Sequence, residues 1–198
     1  MLQSFFHRIS RLFPSNRSFF IDARDGQKYR TVKIGEQEWM AENLNFRTDH
    51  SKSFSMDPKN RAGYGRLYTW ADAVEACPEG WHMPSEEEYK ELLEDVGGVA
   101  VAGKVLKSRQ GWLEKGNGWN FFSFKALPLG RVDDDGHQEP FGIVANFWTS
   151  TAFESAAYNT EYAYRLSLTY RRDNAVIDIV EKNALMSVRC VRDKVPAK

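Results

Sequence analysis

Two thiols, Cys77 and Cys190, are the most reactive groups in this 198-residue chain, and their number limits what they can do. A structural zinc site would need several histidines beside them, and His7, His50, His82 and His137 are scattered singly. The pair reads as a disulfide, with two buried free thiols as the alternative. Closing a loop of this length would contribute roughly 4–5 kcal/mol in the chain-entropy account. A disulfide would also place the chain in an oxidising compartment. A second set of groups is Asp133-Asp134-Asp135-Gly136 followed by Glu139. Asp133, Asp135 and Glu139 supply enough oxygens for a loop calcium, but without the full calcium-loop pattern, and acidic turns are usually just solvated. No nucleophile elbow, phosphate-binding glycine loop or His-Glu-x-x-His spacing occurs. With no such residue set, no catalytic residue is assigned, no cofactor is expected, and the chain is read as a non-enzyme.

Lys and Arg number 27, as do Asp and Glu, so the formal net charge is zero. Duplex binding needs a basic face that displaces counterions, and no long basic run exists, so nucleic acid is not an expected partner. Aromatic residues are the unusual feature, with 6 Trp, 8 Tyr and 13 Phe. Either they fill the core of a loop-rich fold or some of them form a surface for sugar or protein.

The elements that would position these groups begin with an appendage, residues 1–18, ahead of a single domain, residues 19–198. Leu2, Phe5, Phe6, Ile9, Leu12 and Phe13 recur at helical spacing before Pro14, among Arg8, Arg11 and Arg17. This amphipathic helix could dock on the domain, lie on a membrane surface or support self-association into an oligomer. It lacks the uninterrupted apolar core and cleavage site of a secretory signal. No apolar run is long enough to cross a bilayer.

Within the domain, Tyr29 to Gly35 reads as a strand that Gly35-Glu36 turns back into Glu38-Trp39-Met40, a hairpin. Residues 46–66 are polar and turn-rich and read as a surface loop. Tyr68 to Cys77 reads as a short helix with Thr69 as N-cap, ended by Pro78-Glu79-Gly80. Ser85-Glu86-Glu87-Glu88 is a capping box, Tyr89, Leu92, Leu93 and Val96 share one face, and Gly97-Gly98 ends that helix. A third helical stretch covers Val99 to Lys107. Beyond Gly111, strands are expected in Phe147–Ser150, Tyr162–Leu168, Ala175–Ile179 and Ser187–Val191, with Arg171-Arg172-Asp173-Asn174 as a hairpin turn. This order predicts an α+β fold with an antiparallel sheet.

Several blocks carry a family resemblance. Asp25-Gly26, Thr31-Val32-Lys33-Ile34-Gly35 and Trp39-Met40-Ala41-Glu42-Asn43-Leu44 are three of them. Others are Gly65-Arg66-Leu67-Tyr68-Thr69-Trp70, Cys77-Pro78-Glu79-Gly80-Trp81-His82-Met83-Pro84-Ser85, Phe147-Trp148-Thr149-Ser150-Thr151 and Ser187-Val188-Arg189-Cys190-Val191-Arg192. In this order they resemble the Fibrobacter succinogenes major paralogous domain, from about Asp22 to Asp193. The resemblance implies a C-type-lectin-like fold, related to formylglycine-generating enzymes, with two to three short helices, small antiparallel sheets and long loops. It implies that the first helix carries Cys77 and the last strand Cys190, joined as the lectin-like staple. It also implies a bacterial secreted or cell-surface protein.

Formylglycine-generating relatives use paired active-site cysteines, and here the staple claims both. Sugar-binding C-type lectins hold calcium with Glu-Pro-Asn and Trp-Asn-Asp motifs. This chain has Glu139-Pro140 without the following amide, and Phe147-Trp148-Thr149-Ser150 at the second motif. What remains is recognition of a glycan or protein ligand. In such a fold the loops from Lys107 to Thr160 and from Thr169 to Ala175 form the binding face, which offers Trp112, Trp119, Asn120, Tyr158, Tyr170, Arg171, Arg172 and Asn174. The other expectation is a structural or assembly subunit of a surface complex, docked through the N-terminal helix.

Overall fold

The computed structural model describes residues 18–54, 61–155 and 161–194. The expected N-terminal helix and Tyr158 lie outside the described residues. The architecture is α+β. A five-stranded sheet has the order β1 (Ser18–Ile21), β2 (Lys28–Ile34), β3 (Gln37–Met40), β11 (Val191–Arg192), β6 (Trp81–His82), and a six-stranded sheet the order β4 (Lys52–Ser53), β5 (Arg66–Tyr68), β10 (Met186–Ser187), β7 (Val144–Ala152), β8 (Tyr162–Thr169), β9 (Ala175–Glu181).

The first sheet starts with β1 (Ser18–Ile21) antiparallel to β2 (Lys28–Ile34), which turns into β3 (Gln37–Met40) with Ile34 opposite Gln37. This is the hairpin expected from the sequence. In β2, Tyr29, Thr31 and Ile34 are buried, so strict alternation breaks at Val32 and the strand changes face. Two helices then start where their caps predict. In α1 (Trp70–Ala76), Thr69 accepts from the Asp72 backbone N–H, and in α2 (Glu86–Asp95) Ser85 and Glu88 cap each other reciprocally. Tyr89, Leu92 and Leu93 form the buried face of α2, and α3 (Val99–Leu106) follows after Gly97 and Gly98, both at positive φ.

The second sheet is built on β7 (Val144–Ala152), β8 (Tyr162–Thr169) and β9 (Ala175–Glu181), neighbours paired antiparallel, with a register shift between Trp148 and Ala152. Its Phe147 and Leu166 join Trp39, Tyr89, Leu92 and Phe124 in the main core. A second core gathers Tyr29, Met40, Tyr68, Trp81, Trp148, Met186 and Cys190. Four of the six tryptophans (Trp39, Trp81, Trp112 and Trp148) are buried in these two cores, so most of the aromatic excess is packing.

The sequence reading needs correcting in two places. Residues 46–66 are not only a surface loop. Lys52–Ser53 forms β4 against β5 (Arg66–Tyr68), and Arg61–Tyr64 makes one helical turn. Phe54 is buried, with its ring 5.8 Å from those of both Tyr64 and Phe141. Polar neighbours masked these two apolar anchors. The second correction concerns Ser187–Val191, which is not one strand. Met186–Ser187 is β10, between β5 and β7, whereas Val191–Arg192 is β11, between β3 and β6 (Trp81–His82).

Between these two short strands lie Val188, Arg189 and Cys190, all buried. Arg189 is 0% exposed, and its guanidinium donates to the carbonyls of Met40 and Phe124 and to Asn43 Oδ1. Asn43 in turn donates to the Tyr64 carbonyl at 3.0 Å and to Ser187 Oγ at 3.3 Å. The charge also lies 4.4 Å from the centre of the Phe124 ring. Burial pushes the Arg189 pKa down to about 10. Cys190 is bonded to Cys77, with Cα atoms 6.0 Å apart. Cys77 caps the end of α1 rather than lying inside it, and Cys190 immediately precedes β11. No helix among the described residues is long and apolar enough to cross a membrane.

Candidate binding face

The last turn of α3 organises the long loops. Lys104 contributes three of its groups to this task. Its N–H donates to the Asp173 carbonyl at 3.0 Å, its carbonyl accepts from the Trp119 N–H at 2.7 Å, and Nζ donates to the Asn117 carbonyl at 3.4 Å. The same ammonium lies 3.8 Å from the Asp173 carboxylate and 5.6 Å from the centre of the Trp119 ring. One turn later Lys107 is only 1% exposed. Its Nζ donates to the carbonyls of Thr169 at 3.0 Å and Arg172 at 2.9 Å, and lies 5.1 Å from the Trp112 ring centre. Burial holds the Lys107 pKa below its ordinary value, with Asp173 opposing. A buried cation thus fixes the β8–β9 hairpin loop from beneath.

Close backbone contact completes the arrangement. A Cβ on Gly116 would come within 2.5 Å of the Tyr170 carbonyl, and one on Gly103 within 2.7 Å of the Asn174 carbonyl. Any side chain at either position would push the loops apart. Residues 114–125 are also conformationally strained. Glu114, Lys115, Asn120, Ser123 and Lys125 all have positive φ, and they are the only five non-glycine residues among those described that do. Each left-handed residue costs roughly 1–2 kcal/mol, and such residues concentrate at functional sites. Asn120 offsets part of its cost, because Oδ1 accepts from the Lys125 N–H at 2.6 Å.

On this strained loop Trp119 is 50% exposed, and its ring stacks against Phe121 with centroids 5.0 Å apart and planes tilted by 34°. Arg109 Nε donates to the Trp119 carbonyl at 2.8 Å, and the Arg171 guanidinium sits 5.0 Å from the Tyr170 ring centre. The contacts of Lys104, Lys107, Gly103 and Gly116 bring the loop of Trp119 and Asn120 beside the hairpin loop of Tyr170, Arg171, Arg172 and Asn174. Trp112 stands apart from them. It is 6% exposed, with Nε1 donating to Ser108 Oγ at 3.0 Å, so it supports the face from the core and offers no surface of its own. Sequence reasoning missed Lys104, Arg109, Lys115 and Phe121. The i, i+3 spacing of Lys104 and Lys107 at the end of a helix was the available signal.

The acidic loop is arranged differently from the calcium expectation. Asp133 and Glu139 flank the guanidinium of Arg131, at 2.8 and 3.8 Å, and Glu139 also accepts from the Asn146 amide at 3.3 Å. Asp135 accepts from the His137 N–H inside its own turn. Asp133, Asp135 and Glu139 are not gathered into one ligand set. Among the described residues no group of three or more His, Cys, Asp or Glu side chains is placed to hold a metal ion. The cation at the centre of this loop is an arginine.

His82 forms a separate polar cluster, with Nε2 2.8 Å from Glu88 and Nδ1 2.6 Å from Asp193. It borders a groove of about 290 Å³ lined by Lys33, Glu38, Glu88 and Arg192 among others. The imidazole is held between two carboxylates, which suits an ion-pair clasp rather than a base.

Among the described residues, two sheets, the helices α1 to α3 and a disulfide between the end of α1 and the segment preceding β11 define a stapled α+β domain. The chain belongs to the Fibrobacter succinogenes major domain family, whose model matches residues 32–192. No curated protein and no solved structure matches it.

Proposed function

We propose that this protein is a non-enzymatic binding module with a C-type-lectin-like arrangement, secreted or held at the cell surface, which recognises a glycan or protein ligand through its long-loop face. The observation that carries this reading is a half-exposed tryptophan displayed by a loop with five left-handed non-glycine residues. Strain of this kind persists only where the surroundings over-determine it. Here Lys104, Lys107 and the glycine contacts do so, and what they hold in place is a rigid aromatic anchor flanked by arginine and tyrosine, the vocabulary of binding hot spots. The Cys77–Cys190 disulfide favours an oxidising location. The test is a broad glycan array probed with the intact chain and with Trp119→Ala. Binding that depends on Trp119 supports the reading. A blank array, followed by no Trp119-dependent capture of any protein ligand, would remove it.

A role as a structural or assembly subunit has one observation in its favour. On the edge strand β1, Phe19 and Ile21 are both 54% exposed, directly after the apolar residues of the N-terminal segment. Deleting residues 1–17 and measuring assembly by light scattering tests it. Unchanged assembly rejects that role.

A further inference from the structure

A chain of zero net charge conceals a basic face. Between Val99 and Gly130 the single acid is Glu114, set against Lys104, Lys107, Arg109, Lys115 and Lys125. Folding lays the hairpin loop bearing Arg171, Arg172 and Asp173 over that segment. Asp173 is matched by Lys104 at 3.8 Å. Arg109, Lys115, Arg171 and Arg172 are exposed, and none is in an ion pair among the described residues. The acids that balance the total sit elsewhere, six of them in the ten residues of α2. The half-exposed Trp119, stacked on the partly buried Phe121, lies within the basic surface, linked to it through Arg109 and Lys104.

From this juxtaposition we infer that the ligand of the loop face is an acidic polysaccharide. One sugar ring lies on Trp119, and neighbouring carboxylate or sulfate groups meet Arg109, Lys115, Arg171 and Arg172. The inference rests on the binding-module reading and specifies its ligand. An indole face takes the C–H surface of a pyranose, and guanidinium forks match carboxylate and sulfate oxygens in a two-pronged geometry. A nucleic acid would offer comparable charge. The disulfide argues for a compartment in which the abundant polyanions are glycans.

The experiment follows binding of the intact chain by tryptophan fluorescence and calorimetry, at about 0.15 M ionic strength where weak surface charges are screened. The probes are polygalacturonate, dextran sulfate, unmodified dextran and single-stranded DNA. Binding to polygalacturonate or dextran sulfate but not to dextran is expected, and which of the two binds distinguishes carboxylate from sulfate. Trp119→Ala should weaken binding about tenfold, as should Arg171→Glu with Arg172→Glu, whose urea midpoints should stay at that of the parent. Binding to dextran as tight as to dextran sulfate, or to DNA as tight as to either acid polymer, overturns the inference. If Trp119 is needed for a neutral glycan or protein and no acid polymer binds, the inference falls and the module reading stands. If an acid polymer binds equally well to both variants, both fall.

Discussion

Replacing Arg189 by methionine tests whether a buried cation without a carboxylate partner can be a net stabiliser. The substitution keeps most of the side-chain length and the contact with Phe124 and Phe147. It strands three acceptors, the carbonyls of Met40 and Phe124 and Oδ1 of Asn43, all inside the core. Each orphaned acceptor costs about 1–3 kcal/mol. Against this stands relief of Arg189 Nε, which is buried without a partner, at a similar magnitude per group. The ring contacts of the cation, about 1 kcal/mol, are also lost. With each group at the low end of its range the balance is a destabilisation of about 3 kcal/mol, or about 6–12 °C in melting temperature for a chain of this size. Urea titration followed by circular dichroism reads it as a lower midpoint at unchanged slope. Combining Arg189→Met with Asn43→Leu removes one of the stranded acceptors, so the pair should cost about 1 kcal/mol less than the sum of the two single changes. A methionine variant as stable as the parent, or more stable, would mean that desolvation of the guanidinium outweighs its hydrogen bonds, as in some buried ion clusters. The hydrogen bonds of this arginine would then not make it a net stabiliser.

Three more outcomes can be checked on the same material. Breaking the Cys77–Cys190 bond, by reduction or by serine at both positions, releases a constraint across 113 residues. The expected loss is about 5 kcal/mol, and a melting temperature indifferent to reductant would contradict it. Lys125→Gly and Ser123→Gly relieve positive φ and should each raise stability by about 1 kcal/mol, provided the loop does not loosen. Urea midpoints decide this, and a lower midpoint for both refutes the strain argument. His82 is protonated more readily in the folded state, chiefly through its hydrogen bond to Glu88, against burial and with help from Asp193. Its contribution is therefore complete below an unfolded pKa of about 6.5 and is lost as pH rises through the higher folded value. The stability gap between the parent and His82→Gln should narrow from about pH 6 to pH 9. A gap that stays constant across that range assigns the residue a packing role only.

What was legible in the sequence was local. Ser85 and Glu88 announce α2 because a capping box is satisfied within four residues, and the β2–β3 hairpin is likewise written in its own turn. Trp119 and Arg171 could be named as surface candidates, but not that Lys104 would join their loops, since that contact spans many residues of chain. Phe54 was hidden by its neighbours because a window average cannot see one buried ring in a polar stretch. Arg189 was hidden by its type. An arginine between two valines and a cysteine reads as the outward residue of a strand, and only the assembled carbonyls of distant segments turn it inward. The acidic loop misled in the opposite way, since Arg131 lies upstream of it and neutralises the apparent cation site.

The short segment Met186–Arg192 lends one strand to the interior of each sheet, β10 between β5 and β7 and β11 between β3 and β6. During synthesis, then, neither sheet can close until almost the whole chain described here has left the ribosome. Everything before residue 186 must wait with two gaps in its centre. Pairings between segments so far apart in the chain are among the last to form. A stop at residue 186 would remove the middle of both sheets together with one half of the disulfide.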